Sequence, residues 1–362
     1  MASSVVPAEM IQSANWSGSI PVILTLSSTS LSSPTVPPPI HVQLPRQTYL
    51  HTGLQAAVQR LYQFAPTTLS FASGMIRNEP EPESSEDDDA TTATTDTTKI
   101  PTPAESKDAS ASAPSSREIT TTTTSKATLA YPTCWFEDED SQLPLRWHMS
   151  AGVLFDLKRT DRTTNTSSML PWKIRLHFTA YPNSEILPLE ANLTVDTQVH
   201  RFFKNSFKQA VSCLHGSNKV ALNVTKESHG RLWRSVQTAN FVLYQQTVRG
   251  DLPAIAEPVS MVPIRLYMNA KPPIQRPCRD GTLSLGALLA AWLPDHFCQD
   301  KDATESIPDV VTFRPTETID CWKVGGIQPP LDTTVLDLWK TLSHADHFLY
   351  IVVQTNYSNN NQ

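Results

Sequence analysis

Trp172-Lys173-Ile174-Arg175-Leu176-His177-Phe178 alternates large apolar side chains with polar ones at a period of two. That spacing predicts a strand with one buried and one wet face. Upstream, Asn15–Leu26 and Ile40–Leu44 read as strands around a Ser/Thr/Pro-rich connection, and Leu54–Phe64 as a helix. Leu145–Met149 reads as a further strand and Val153–Leu157 as a short helical or extended piece. A strand pair, a helix and later strands make a small α+β unit that closes near Pro182.

Downstream the period changes. Val199, Phe203, Phe207, Ala210 and Leu214 form a stripe at i, i+4, i+8, i+11 and i+15, which predicts an amphipathic helix. Asp196 or Thr197 can cap its start, and Gly216 supplies its stop. Asn218 opens another helix, and Leu232, Trp233, Val236, Phe241, Leu243 and Tyr244 predict a longer one ending at Gly250. The last third repeats the first in outline. Val262, Ile264, Leu266 and Met268 alternate with Pro263, Arg265 and Tyr267 as a strand, with Pro263 tolerated at an edge or start. Leu283–Trp292 follows as a helix, Val310–Phe313 as a strand, Val335–Leu342 as a short helix and Phe348–Val353 as a terminal strand. Strand, strand, helix, strands is the order of a β-grasp domain.

Composition narrows the function classes. Among 362 residues, 29 Lys and Arg face 35 Asp and Glu, a net charge of −6, and 39% are hydrophobic. Residues 79–96 hold eight acids and no Lys or Arg; without that stretch the chain is near neutral. A dense cationic face for nucleic-acid phosphates is not expected. The tract 77–128, rich in acids, Thr, Ser and Pro, is too polar to offset its ordering entropy and is expected to be disordered. No apolar run approaches the ~18–20 residues of a membrane span, Gly286–Leu293 included. Ile20–Leu26 is too short and polar-flanked for a signal peptide. Five scattered cysteines (Cys134, Cys213, Cys278, Cys298, Cys321) contain no C-x-x-C pair and read as reduced thiols of a cytosolic protein.

Catalytic signatures are sparse. The chain holds no P-loop, dinucleotide fingerprint, G-x-S-x-G or H-E-x-x-H, and no cofactor or metal is expected. Gly325-Gly326 reads as a turn, His148 as a packed histidine, and Glu137, Asp138, Glu139 and Asp140 as a solvated acidic turn. Trp16, Trp147, Trp172, Trp292, Trp322 and Trp339 read as core. A Cys–His hydrolase built on Cys134 or Cys213 stays open because such pairs are spatial, although no local signature supports one. Lys204 and Lys208, four residues apart, follow the buried Phe203 and Phe207 by ~100° around the helix. The plain reading is a solvated face. The sharper one is an accessible amine that attacks an activated thioester.

Several blocks together carry a family resemblance. They are Trp16-Ser-Gly-Ser-Ile-Pro-Val22, Leu44-Pro-Arg-Gln-Thr-Tyr-Leu50, Leu143-Pro-Leu-Arg-Trp-His-Met-Ser-Ala-Gly-Val-Leu-Phe-Asp-Leu157 and Leu170-Pro-Trp-Lys-Ile-Arg-Leu-His-Phe178. Phe207-Lys-Gln-Ala210, Pro263-Ile-Arg-Leu-Tyr267, Gly326-Ile-Gln-Pro329 and Asp346-His-Phe-Leu-Tyr350 continue the series. In this order, and across nearly the whole chain outside 77–128, they resemble the autophagy protein 5 family in its fungal form. The resemblance implies an α+β chain with two ubiquitin-like β-grasp domains flanking a helix-rich domain. The expected boundaries are 13–182, with the 77–128 insertion inside, then 183–252 and 256–355. It implies that Lys208 receives the ubiquitin-like autophagy protein 12 through an isopeptide bond, with Lys204 as the nearest decoy. The family's conjugating enzymes supply the thioester, so this chain is substrate and scaffold rather than catalyst. The conjugate is expected to bind the helical autophagy protein 16 and to act like an E3, promoting lipidation of autophagy protein 8 with phosphatidylethanolamine. Peripheral contact with the preautophagosomal membrane from the cytoplasm follows, with no nucleic acid involved. Ending in Asn360-Asn361-Gln362 without a diglycine, the chain is not expected to be a modifier itself. The competing expectation is an unmodified β-grasp adaptor that takes a partner helix in a groove.

Overall fold

The structure, a computed structural model, describes residues 7–32, 35–65, 133–158, 170–255, 259, 261–269, 271–300 and 311–356. The tract 77–128 lies outside them. In chain order the first part contains α1 (Ala8–Ser17), β1 (Ser19–Leu26), β2 (Ile40–Pro45), α2 (Leu50–Gly53), α3 (Gln55–Tyr62), β3 (Trp135–Asp138), β4 (Leu143–Pro144), α4 (Ala151–Leu157) and β5 (Trp172–His177). Four helices follow: α5 (Val195–His215), α6 (Asn218–Leu222), α7 (Lys226–Gln237) and α8 (Phe241–Asp251). The last part runs β6 (Val262–Met268), β7 (Ile274–Cys278), α9 (Leu285–Trp292), β8 (Phe297–Gln299), β9 (Phe313–Pro315), β10 (Ile319–Val324), α10 (Val335–Leu342) and β11 (Leu349–Thr355).

The strand opened by Trp172 sits at the middle of the first sheet, ordered β2-β1-β5-β3-β4. It lies parallel to β1, with Val22 opposite Trp172 and Leu26 opposite Leu176, while β1–β2 and β3–β5 are antiparallel. Its inward side chains Trp172, Ile174 and Leu176 join Val22, Leu24, Leu54, Val58, Leu61 and Phe136 in one core. The second sheet, β10-β11-β6-β7, repeats the plan: an antiparallel β6–β7 hairpin and a final strand, β11, parallel to β6. The strands β8 and β9 form a separate antiparallel pair. Each sheet is a β-grasp, with first and last strands side by side.

Between them the helices share a third core. The predicted stripe is buried throughout, and Phe203, Phe207, Leu232, Trp233, Val236 and Tyr244 interlock with Trp16 and Tyr49 from the first part. Each such ring contributes ~1.5–3 kcal/mol by leaving water.

Several expectations need correcting. Asn15–Ser17 ends α1 instead of opening a strand, because Trp16 is drawn onto Tyr244 and Phe241 of α8, with ring centroids 4.6 and 5.9 Å away. Leu145–Met149 is a turn that follows the two-residue β4. Met149 N–H donates to the Arg146 carbonyl, and the Trp147 indole donates across to Leu187 O. The cap of α5 is Thr194, whose hydroxyl accepts from Thr197 N–H, not Asp196 or Thr197. The long helix expected to end at Gly250 is two: Ala239 takes φ +48° and Asn240 caps α8. β6 is buried along its whole length because it is a central strand with α5 packed on it, so its alternation does not mark a wet face. β11 joins it only from Ile264 onward, which leaves Pro263 before that ladder begins. The strand expected over Val310–Phe313 starts at Phe313, and position 310 lies outside the described residues.

Of the expected acidic turn Glu137–Asp140, only Glu139 and the exposed Asp140 form a turn, while Glu137 and Asp138 belong to β3. Asp138 ends β3 in the interior, accepting from Lys158 Nζ at 2.7 Å, the Trp172 indole at 2.8 Å and Ser141 Oγ at 2.6 Å. Burial opposes its charge, but these donors outweigh it and hold the carboxyl below its ordinary range. Glu137 pairs with Arg175 at 2.7 Å on the neighbouring strand.

Candidate functional site

α5 carries both lysines singled out in the sequence. Thr194 satisfies its first turn and Gly216, at φ +63°, closes its last. With Val199, Phe203, Phe207, Ala210 and Leu214 turned inward, Lys204 and Lys208 fall at the edge of the buried face and are half-buried. Among the described residues neither has an ion pair, unlike Arg201 on the same helix, which pairs with Glu190.

A histidine faces both lysines. The His229 ring, on α7, meets Phe207 edge-on at 5.4 Å and is buried. Burial, then the charges of Lys204, Lys208 and His200, push it down to about 4, so at neutral pH it adds no cation beside the amines. The other side of Phe207 meets His347 at 5.3 Å, from the turn before β11. That turn also brings Asp346, fully buried, against Ser206 of α5, whose hydroxyl donates to Asp346 Oδ2. Arg265, from β6, donates to Ser206 Oγ at 2.6 Å and Tyr350 Oη at 3.0 Å, with its guanidinium 3.9 Å over the Phe348 ring. His344 Nε2 donates to the Gln47 carbonyl at 3.0 Å, tying the same turn to the first part. Burial would raise the Asp346 carboxyl, yet His344, Arg265 and Ser206 hold it well below the carboxylate range.

Sequence reading missed this cluster. The alternation gives Arg265 only a place between the apolar positions of a strand, and Asp346 enters only within a resemblance block. The available signal was a charged residue in each largely apolar block: Arg265 at the centre of Pro263–Tyr267 and Asp346 at the start of Asp346–Tyr350.

The hydrolase alternative finds no geometry. The Cys134 thiol is buried and pushed far up, and the neighbouring His51 ring, lowered to about 4 by burial, contacts the Cys134 carbonyl oxygen at 3.0 Å rather than its sulfur. Burial also raises the Cys213 thiol. All five cysteines are free thiols. A reactive Cys–His pair needs a lowered thiol, the opposite of both. Gly325-Gly326 is a turn with both φ positive, and His148 packs against Phe202 at 4.8 Å. Trp16, Trp147, Trp172 and Trp339 are core, whereas Trp292 and Trp322 are half-buried beside the second core. Beside the Gly325 turn, Arg46 and Asp156 line a cavity of about 30 Å³, room for water rather than for a substrate. Among the described residues no cluster of His, Cys, Asp or Glu could hold a metal, and no helix is long and apolar enough to cross a membrane.

Two ubiquitin-like folds around a helical bundle place the chain in the ubiquitin-like class of proteins. The chain belongs to the autophagy protein 5 family: family models for Autophagy protein ATG5 match its UblA domain at 15–76 and 112–178, its alpha-helical bundle region at 196–249 and its UblB domain at 261–353. Autophagy protein 5 of Aspergillus clavatus is 26% identical over 255 residues, covering 61% of this chain and 76% of that protein. The Pichia angusta protein is 24% identical over 223 residues, covering 61% and 73%. The crystal structure of Kluyveromyces marxianus Atg5 shares the fold at a TM-score of 0.60 and 18% identity, covering 95% of this chain and 99% of that one. Family membership supports a role in autophagy.

Proposed function

We propose that Lys208 accepts the ubiquitin-like autophagy protein 12 as an isopeptide. The conjugate, with autophagy protein 16, would then act as an E3-like factor for lipidation of autophagy protein 8 with phosphatidylethanolamine. In the acceptor step, the Lys208 ammonium gives a proton to water and its Nζ attacks the carbonyl carbon of the modifier's thioester on a conjugating enzyme. The C–N bond forms as the C–S bond breaks, the nitrogen loses a second proton, and the enzyme's sulfur leaves as thiolate and takes up that proton directly or through water. The protein works in the cytoplasm and peripherally on the preautophagosomal membrane, and its own role is that of substrate and scaffold.

The observation that carries this reading is the placement of Lys208 on the bundle helix: half-buried, without an ion pair among the described residues, beside a neutral histidine. Its amine need break no salt bridge before attack. The test is a denaturing, reducing gel of the protein from its own cells, wild type against Lys208→Arg. Arg keeps charge and helix propensity but offers no acylable amine. A band larger by one ubiquitin-sized modifier is expected in wild type and absent from the variant. Survival of the band would move the site to Lys204 or another lysine. Its absence from wild type while autophagy proceeds would leave the unmodified adaptor.

A further inference from the structure

Lys204 and Lys208 share one edge of α5 and differ by one turn, about 6 Å along the axis. A lysine stem is flexible enough that chemistry alone would not separate the two amines. Their neighbours, however, are held in different ways. Around Lys204 the contacts are rings: Phe203 lies 5.5 Å from Trp233 within the bundle, and Phe202 lies 4.8 Å from His148 of the first domain. Around Lys208 the ring contacts of Phe207 with His229 and His347 are joined by directional hydrogen bonds to the second ubiquitin-like domain. Ser206 is bonded to Asp346 and to Arg265 Nη1. Gln209 Oε1 accepts from Arg265 Nη2 at 3.2 Å and from Gln275 Nε2 at 3.4 Å. Arg265 Nε donates to Gln275 Oε1 at 2.8 Å, so one guanidinium gathers residues on both sides of the lysine.

We infer that Arg265 is a positioning residue that selects the acceptor, tying Ser206 and Gln209 to the second ubiquitin-like domain so that the turn bearing Lys208, and not the turn bearing Lys204, is fixed in direction. The inference rests on Lys208 being the acceptor. Arg265 touches neither the amine nor the thioester; it acts through the backbone of α5. A planar fork with several fixed donors can set rotation and translation of a helix together, whereas ring packing tolerates sliding. Buried ionic groups serve this kind of register role elsewhere. Acyl transfer is sensitive to such placement, because the nitrogen must come within ~3–3.5 Å of the carbonyl carbon, and an error of about 1 Å can cost up to a hundredfold in rate.

The test is reconstituted conjugation of the full chain with purified activating enzyme, conjugating enzyme and modifier, the product sites being mapped by peptide mass spectrometry. Wild type is compared with Arg265→Lys, which keeps charge but loses the fork, and with Gln209→Ala, an exposed position whose change leaves the core intact. Both are first checked for folding by circular dichroism and gel filtration. At saturating conjugating enzyme, Arg265→Lys is expected to slow transfer about tenfold and Gln209→Ala a few-fold, with KM unchanged. In both, the share of product on Lys204 rises. A purely structural role would lower the folded fraction without moving the site ratio. Folded variants with wild-type rate and product on Lys208 alone overturn the inference. If Arg265→Lys does not fold, Gln209→Ala decides by the same ratio. A Lys208→Arg chain that still accepts the modifier at the wild-type rate overturns the acceptor reading itself, and is told apart because it needs no change at Arg265 or Gln209.

Discussion

Gly326 occupies φ +89° with its α-carbon against the Arg46 side chain, where an added Cβ would stand 2.6 Å from Cζ and Nη2. Arg46 in turn holds Asp156 at 2.6 Å between the two ubiquitin-like folds. Gly326→Ala therefore meets both a left-handed backbone and a clash that pushes the guanidinium off its carboxylate. We expect a loss of about 1–3 kcal/mol in urea unfolding. Gly230, inside α7, has nothing within 4 Å of the same position and no special φ. Gly230→Ala should stabilise by about 0.5–1 kcal/mol through helix propensity. Opposite signs from one substitution separate a glycine required by its surroundings from one that is not.

Among elements, α5 organises the molecule: its apolar stripe faces the bundle from Val199 to Phe207 and enters the second core at Leu214, while Ser206 and Gln209 reach the second sheet. Its first turn depends on Thr194. Thr194→Ala should cost about 1 kcal/mol, read as a lower urea midpoint at unchanged slope. The stripe, the stop at Gly216 and the strand at Trp172 were legible because each follows from period and backbone chemistry within one element. Two local readings failed where tertiary contact overruled them: Trp16 prolonged a helix by packing on α8, and Trp147 turned its indole to Leu187 where a strand was expected. A third failed on local chemistry, because Asn240 caps Leu243 N–H and splits a helix that apolar spacing joined. The Arg265–Asp346 network was illegible for a different reason. Alternation in β6 predicts one wet face, and only the packing of α5 on that sheet puts Arg265 inside.

At the scale of the whole molecule, buried histidines set the response to acid. His51, His148, His177, His229 and His347 are each pushed down to about 4, burial being the first cause in every case. In the unfolded chain they titrate near ~6.5. Between these values the unfolded state binds more protons than the folded one, so stability present above about 6.5 is lost as pH falls toward 4. Asp346, depressed, contributes fully above the ordinary carboxylate range and loses that contribution progressively as pH falls through and below it. Asp156, raised first by burial, works the other way. Urea midpoints should therefore fall steeply from pH 7 to pH 5. His229→Gln should recover about 1–2 kcal/mol of that difference, and an equal slope in the variant would remove His229 from the account.

The parallel pair at the heart of the first sheet has a consequence for biosynthesis. Val22 and Trp172 are register partners, yet they stand 150 positions apart in the chain. At about 5–20 residues per second, the ribosome releases the second roughly 8–30 s after the first. Through that interval the β1–β2 hairpin and the short helices after it hold Val22, Leu24, Leu44 and Val58 without the strands β3 and β5 that complete their core. The nascent chain thus passes this interval with one side of its first core uncovered, the condition in which unpaired strand edges aggregate.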